Sequence, residues 1–246
     1  MALAIPIGAS AAELHGLSTI AVQSAMEELI PHFEKASGHK VHVAFGLGVA
    51  MAKRVQDGES ADFVVGPRVA IDGLTKAGKL APGSEATLAR SSVGVAVRKG
   101  APKPDISTPD ALKRTLLAAR AISYSNPAYG GASGVHFAKV LERLGIADEM
   151  KPKTRFPPEG GFTARLLAAG EVDLAVQQTG ELISVPGVEL VGSLPGELQS
   201  VTTFAVAIPT AARQADAAKA LIKYLQSAEA AAVMKAKGLD PAAQMQ

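Results

Sequence analysis

Short alternating apolar segments and segments of helical periodicity take turns along the start of this chain. That rhythm constrains the fold more than any other feature. Glu13–Ser18 reads as a short strand with Ser18 and Thr19 as cap-type residues behind it. Ala21–Ala36 then carries Val22, Met26, Leu29, Ile30 and Phe33 at the spacing of one helix face, and Gly38 stops it. Lys40–Phe45 alternates as a strand, Val49–Gln56 is helical, Asp62–Val65 is a buried strand, and Val69–Ala77 is a helix closed by Gly78. Strand and helix alternating in this way predict an α/β fold, its sheets mainly parallel and covered by helices.

The same rhythm returns later. Ser92–Val97, Asp173–Gln177, Val188–Val191 and Thr203–Ile208 read as strands. Pro109–Ala119 is a helix with Thr108 as its cap and proline at its first position, followed by Phe162–Ala169, Asp216–Gln226 and Glu229–Lys237. Proline breaks regular structure in Lys99–Pro109 and Pro152–Gly161. Two runs of βα rhythm imply two α/β lobes. A ligand pocket is then expected between them, at the carboxyl ends of the strands.

Composition excludes several classes. A net charge of +2 with no Lys/Arg run gives no purchase on nucleic acid. The chain has no cysteine, so disulfides and thiolate metal sites are excluded. There is no Walker A sequence and no GxSxG elbow, and nothing calls for a cofactor. His15 and His32 are isolated, and His39 and His42 are three apart, which puts them on opposite faces of a strand, so no metal site is expected. No segment approaches the run of about 20 apolar residues that a membrane span needs. Residues 1–11 end in Ala9-Ser10-Ala11, a small-x-small pattern like a signal-peptidase site, without a basic n-region. They read as the remnant of a signal peptide or as a disordered leader.

The stretch richest in chemistry runs from Ala121 to Gly145. An apolar strand enters a loop of Gly, Ser, Asn and Pro, and an amphipathic helix follows with Val135, Ala138, Leu141 and Leu144 on one face. Ser133 stands where an N-cap would, and Gly130, Gly131 and Gly134 let the backbone approach a ligand closely. A helix start of this kind suits an anion, although an ordinary Gly-rich βα loop has the same composition. His136 follows in the first turn and Tyr129 lies in the loop; Glu159 and Glu181 are the nearest candidate carboxylates.

Several segments together resemble one family. FEKASGHKVHVAFG, AKRVQDGESADFVVG, FAKVLERLGI, PPEGG, LLAAGEVDLAVQQ and AAKALIKYLQSAEAAAVMKAKGL occur in the order of the type II solute-binding proteins, over residues 12–241. The molybdate-binding-protein-like branch is the most similar. The resemblance implies a two-lobed type II periplasmic-binding-protein fold, hinged on two crossing strands, here Ser92–Val97 and Thr203–Ile208. Lobe 1 would be residues 12–96 and 204–246, and lobe 2 residues 97–203. It further implies a monomeric periplasmic receptor that hands a small anion to the membrane component of an ABC transporter. A chain truly starting at Met1 would stay in the cytoplasm. The residues it implies for the ligand are Ser18, Thr19, Gly48, Ser133, Gly134, Gly160, Gly161 and Gln178, with Arg68 as a fork for a carboxylate.

The chain departs from that branch at informative positions. Ala21 and Leu47-Gly48-Val49 stand where molybdate binders carry hydroxyls, and Gln178 stands in place of a tyrosine. These departures shift the expected ligand from a tetrahedral oxyanion towards an organic carboxylate. A looser resemblance to aconitate isomerase, an enzyme on the same scaffold, supplies the alternative. It implies a proton shift on a small polycarboxylate, with His136 or Tyr129 moving the proton.

Overall fold

The computed structural model describes residues 11–242. The expected leader therefore lies, except for Ala11, outside the described residues. The chain opens with β1 (Glu13–Thr19), α1 (Gln23–Ser37), β2 (Lys40–Gly46), α2 (Gly48–Gln56), β3 (Phe63–Pro67), α3 (Arg68–Lys76) and the long β4 (Ala86–Arg98). It continues through α4 (Pro109–Ala118), β5 (Ile122–Tyr124), α5 (Ala132–Arg143), α6 (Ala147–Met150), β6 (Thr154–Arg155), α7 (Thr163–Ala168), β7 (Leu174–Gln178), α8 (Thr179–Ile183) and β8 (Val188–Ser193). It closes with β9 (Val201–Ala207), α9 (Ala215–Leu225), α10 (Ala228–Ala236) and β10 (Asp240–Pro241).

Pairing divides these strands into two lobes. In the first, β1 lies parallel to β2 and β3, and β9 runs antiparallel beside β3. In the second, β5 lies parallel to β6 and β7. β4 belongs to both: Ala86–Ser92 pairs with β9, and Val93–Arg98 pairs with β7 and β8. The first crossing strand thus begins at Ala86, six residues before the expected Ser92. Its early part alternates poorly, because Ala86, Thr87 and Arg90 carry no apolar contrast.

Each lobe packs helices on both faces of its sheet, and the period of two sorts the residues. Phe63 and Val65 pack with Phe33 of α1, Leu221 of α9 and Met234 of α10, whereas Val64 turns to Val55 of α2 and Leu74 of α3. In the second lobe Val93, Val95 and Val97 meet Leu112, Leu116 and Phe137, whereas Ala96 meets Leu167 and Leu182. This is the two-lobed architecture that the sequence implied. α6, β6, α8 and β10 are additional. They span two to five residues each, too short to show a period. No helix among the described residues is long and apolar enough to cross a membrane.

One side chain in β5 departs from good packing practice. Ser123 is fully buried, and its Oγ is the one sealed side-chain polar atom without a partner among the described residues. An unsatisfied hydroxyl costs its desolvation, so Ser123→Ala is expected to stabilise the fold by about 1 kcal/mol. Urea denaturation checks this, and a loss of stability would show that the hydroxyl has a partner.

Candidate functional site

Five strands of the two lobes end at one cavity of ≈ 300 Å³. Thr19 closes β1, Leu47 follows β2, Pro67 closes β3, Ser125 follows β5 and Gln178 closes β7, and all five line the space. This is the expected crevice beyond the carboxyl ends of α/β strands.

Two helix starts face the cavity from opposite lobes. In α2 the first turn closes with Met51 N–H donating to the Leu47 carbonyl at 3.0 Å, so the N–H groups of Gly48, Val49 and Ala50 lie outside the helical ladder. In α5 Val135 N–H donates to the Gly131 carbonyl at 3.0 Å, which leaves Ala132, Ser133 and Gly134 in the same state. Leu47–Val49 and Gly130–Ser133 line the cavity, so two positive dipole ends converge on it.

Glycine lets these walls come close. A Cβ at Gly48 would lie 2.4 Å from Pro67 Cδ, and one at Gly134 would lie 2.1 Å from the Ser125 carbonyl oxygen. Between the lobes, a Cβ at Gly130 would sit 3.2 Å from Val49 Cγ2, and one at Gly131 3.4 Å from Leu47 Cδ2. The loop before α5 therefore rests against the start of α2, and the cleft is nearly shut along that edge.

The polar groups are few. Thr19 Oγ1 accepts from Ala21 N–H at 3.3 Å and caps the turn that leads into α1. Ser125 and Ser133 are buried in the wall. His136 Nε2 is 2.7 Å from the Leu198 carbonyl. A carbonyl only accepts, so Nε2 carries a proton and Nδ1 is left as the nitrogen able to accept one. Lys139, three residues further along α5, lines the cavity and has no carboxylate in ion-pair range among the described residues. Glu181 of α8 is buried in the cavity wall, and burial pushes its carboxyl up to about 8.

The proton on Glu181 couples stability to pH. The folded state keeps this proton up to about pH 8, whereas the unfolded chain loses it near the ordinary value of 4.5. The contribution is full below 4.5 and is lost as pH rises through 8, at up to about 1.4 kcal/mol per pH unit. Urea midpoints across pH 5–9 should therefore fall more steeply for the native chain than for Glu181→Gln. Parallel curves would contradict this.

The expected site residues divide into two groups. Thr19, Gly48, Ser133, His136 and Gln178 line the cavity. Ser133 is not the N-cap; Gly131 is, and Ser133 is the second residue of α5. Gln178 spends its amide on the crossing strands. Its oxygen faces the Thr202 hydroxyl at 3.0 Å, and its nitrogen faces the Ser91 and Ser92 carbonyls at 3.1 and 3.3 Å. Gly134 packs one layer behind, against Ser125.

The other residues stand away from the cavity walls. Ser18 is fully buried and its Oγ donates to the Thr19 carbonyl at 3.2 Å. Arg68 is held by Glu85 at 3.3 Å and by the Thr87 hydroxyl at 2.7 Å, so its fork is already taken. Gly160 and Gly161 form a turn, with Gly161 N–H donating to the Pro158 carbonyl at 2.8 Å. Tyr129 is exposed on the short turn Pro127–Tyr129 beside the rim. Ser125 and Lys139 line the cavity without having been assigned to it from the sequence, and Glu181, named there only as a candidate carboxylate, joins them. Lys139 shares a helix face with His136 at the i, i+3 spacing, which is the signal that points to it. Among the described residues no group of three or more His, Asp or Glu is placed to hold a metal ion.

Comparison with known proteins fits this geometry. The profile of the bacterial extracellular solute-binding proteins matches residues 14–240. An aconitate isomerase from a Pseudomonas species is 36% identical over 231 residues, covering 92% of this chain and 86% of the relative. A molybdate-binding protein of Azotobacter vinelandii is 29% identical over 243 residues, covering 94% of this chain and 90% of the relative. The solved periplasmic molybdate-binding protein of Azotobacter vinelandii superposes with a TM-score of 0.75 at 20% identity, over 92% of this chain and 98% of that one. At that identity the likeness speaks for the fold.

Proposed function

Because this chain belongs to the bacterial extracellular solute-binding protein family, we propose that its cleft is the receptor site for a small organic polycarboxylate. The protein would work as a monomer outside the cytoplasmic membrane and pass its solute to the membrane component of an ABC importer. The observation that carries this reading is the pair of uncommitted helix starts on opposite walls, with Lys139 of α5 lining the same cavity. Donors spread over two walls suit an extended anion with more than one carboxylate. Leu47, Val49, Val69 and Val135 supply an apolar lining for its carbon skeleton. Titration calorimetry with trans-aconitate tests it. The native chain should bind one molecule, and Lys139→Glu should weaken binding by about tenfold or more, that is, by about 1.4 kcal/mol. Unchanged affinity in Lys139→Glu would argue against a carboxylate at that wall.

A second reading is an isomerase that shifts a proton along an aconitate-like skeleton. His136 favours it, since with Nε2 donating to the Leu198 carbonyl its Nδ1 is the ring nitrogen placed to take a proton from carbon. The 36% identity to an aconitate isomerase points the same way. Proton NMR of cis-aconitate incubated with the protein distinguishes the readings. Conversion to the trans isomer that disappears in His136→Gln supports the enzyme, and an unchanged spectrum supports the receptor.

A further inference from the structure

Glu181 is the least expected wall of the cleft. It is 5% exposed, and its Oε2 accepts from the Gln178 N–H at 3.1 Å. Its Oε1 has no protein partner among the described residues. It is also not sealed, since the sealed orphan there is Ser123 Oγ, so the space it meets is the cavity.

No charged side chain offers to hold this carboxyl ionised. α8 packs against β4, β7, β8, α7 and the turn Ile20–Val22. Arg90 and Arg98 lie on β4, and Arg165 of α7 sits over the Phe162 ring at 5.5 Å. Glu189 of β8 is paired with Lys103 at 2.7 Å. Lys237, whose carbonyl lies beside Gly180, is paired with Glu28 at 2.7 Å. β7 and the turn carry no charge, and His136 and Lys139 line the cavity from α5. None of these contributes to the state of Glu181, which burial dominates.

We propose that Glu181 meets the solute as a neutral carboxylic acid and donates its proton in a hydrogen bond to a solute carboxylate, so that ionisation of Glu181 expels the ligand. This rests on the polycarboxylate reading of the cleft. An acid O–H donating to a carboxylate is among the shorter and stronger hydrogen bonds, whereas two facing carboxylates repel. The affinity of the site is therefore tied to pH on the alkaline side. Oε2 remains engaged with Gln178, and Oε1 carries the proton towards the ligand.

The test is calorimetric titration of the whole chain with trans-aconitate and with citrate, from pH 6.5 to 9.5, for the native protein and Glu181→Gln. The amide keeps an acceptor for Gln178 N–H and a donor for the ligand, and a melting curve confirms that the variant is folded. The expected result is a native affinity that holds to about pH 8 and then falls about tenfold per pH unit, against a flat profile in the variant. A flat native profile, or a variant that falls in parallel, overturns the role of Glu181 and leaves the polycarboxylate site standing. If neither carboxylate binds at pH 6.5, both are overturned.

Discussion

Gly134→Ala should abolish solute binding and destabilise the first turn of α5, lowering stability by about 2–3 kcal/mol. The reason is steric. Its Cβ would lie 2.1 Å from the Ser125 carbonyl oxygen and 2.8 Å from the carbonyl carbon. Those are backbone atoms, which cannot swing aside as a side chain does. The start of α5 must move away from the end of β5. Ser133, His136 and the free N–H groups of the first turn then move off the cavity together. Gly131→Ala is the matched control, because its Cβ would stand 3.4 Å from the flexible end of Leu47. Urea denaturation and calorimetry of the two variants should separate them. Native-like affinity in Gly134→Ala would mean that the close approach is not needed.

Asp62→Ala should cost about 3–5 kcal/mol, with no direct effect on the cleft. Asp62 is buried, its Oδ2 accepts from His15 N–H at 2.9 Å, and its Oδ1 accepts from the N–H groups of Arg213 and Gln214, both at 2.9 Å. One carboxylate thus ties β1 to the segment that leads into α9, where the chain has returned to the first lobe. Alanine leaves three backbone donors without this acceptor. Asp62→Asn keeps two of them satisfied and should cost roughly half as much. Equilibrium unfolding with an unchanged denaturant slope checks both variants, and a loss under about 1 kcal/mol for alanine would contradict the assignment.

The scaffold was legible because nearly every main strand is covered on both faces. Phe63-Val64-Val65 and Val93 to Val97 are apolar for that reason, and α1 and α9 carry full amphipathic stripes. The candidate cleft was legible at strand ends, where Thr19 closes β1 and Gly48 opens α2 one residue past β2. It was not legible where the deciding partner is distant in sequence. Nothing around Arg68 reveals that Glu85 and Thr87 will occupy its guanidinium. Ser133 resembles a cap, yet the cap of α5 is Gly131, two residues earlier, whose extended backbone starts the helix without a side-chain hydrogen bond. Glu181 stands three residues after Gln178, the spacing of a capping box. Glutamine in place of Ser or Thr at the first position hides that pattern.

The most direct measurement of the ligand class is a thermal-shift panel on the whole chain. It sets cis- and trans-aconitate, citrate and tricarballylate against molybdate, tungstate, sulfate and phosphate. A ligand at 100 times its Kd adds about 2.7 kcal/mol to stability, which is readily seen as a rise in Tm. The expected result is a shift with one or more polycarboxylates and none with the tetrahedral oxyanions. A shift with molybdate and tungstate alone would contradict the polycarboxylate site.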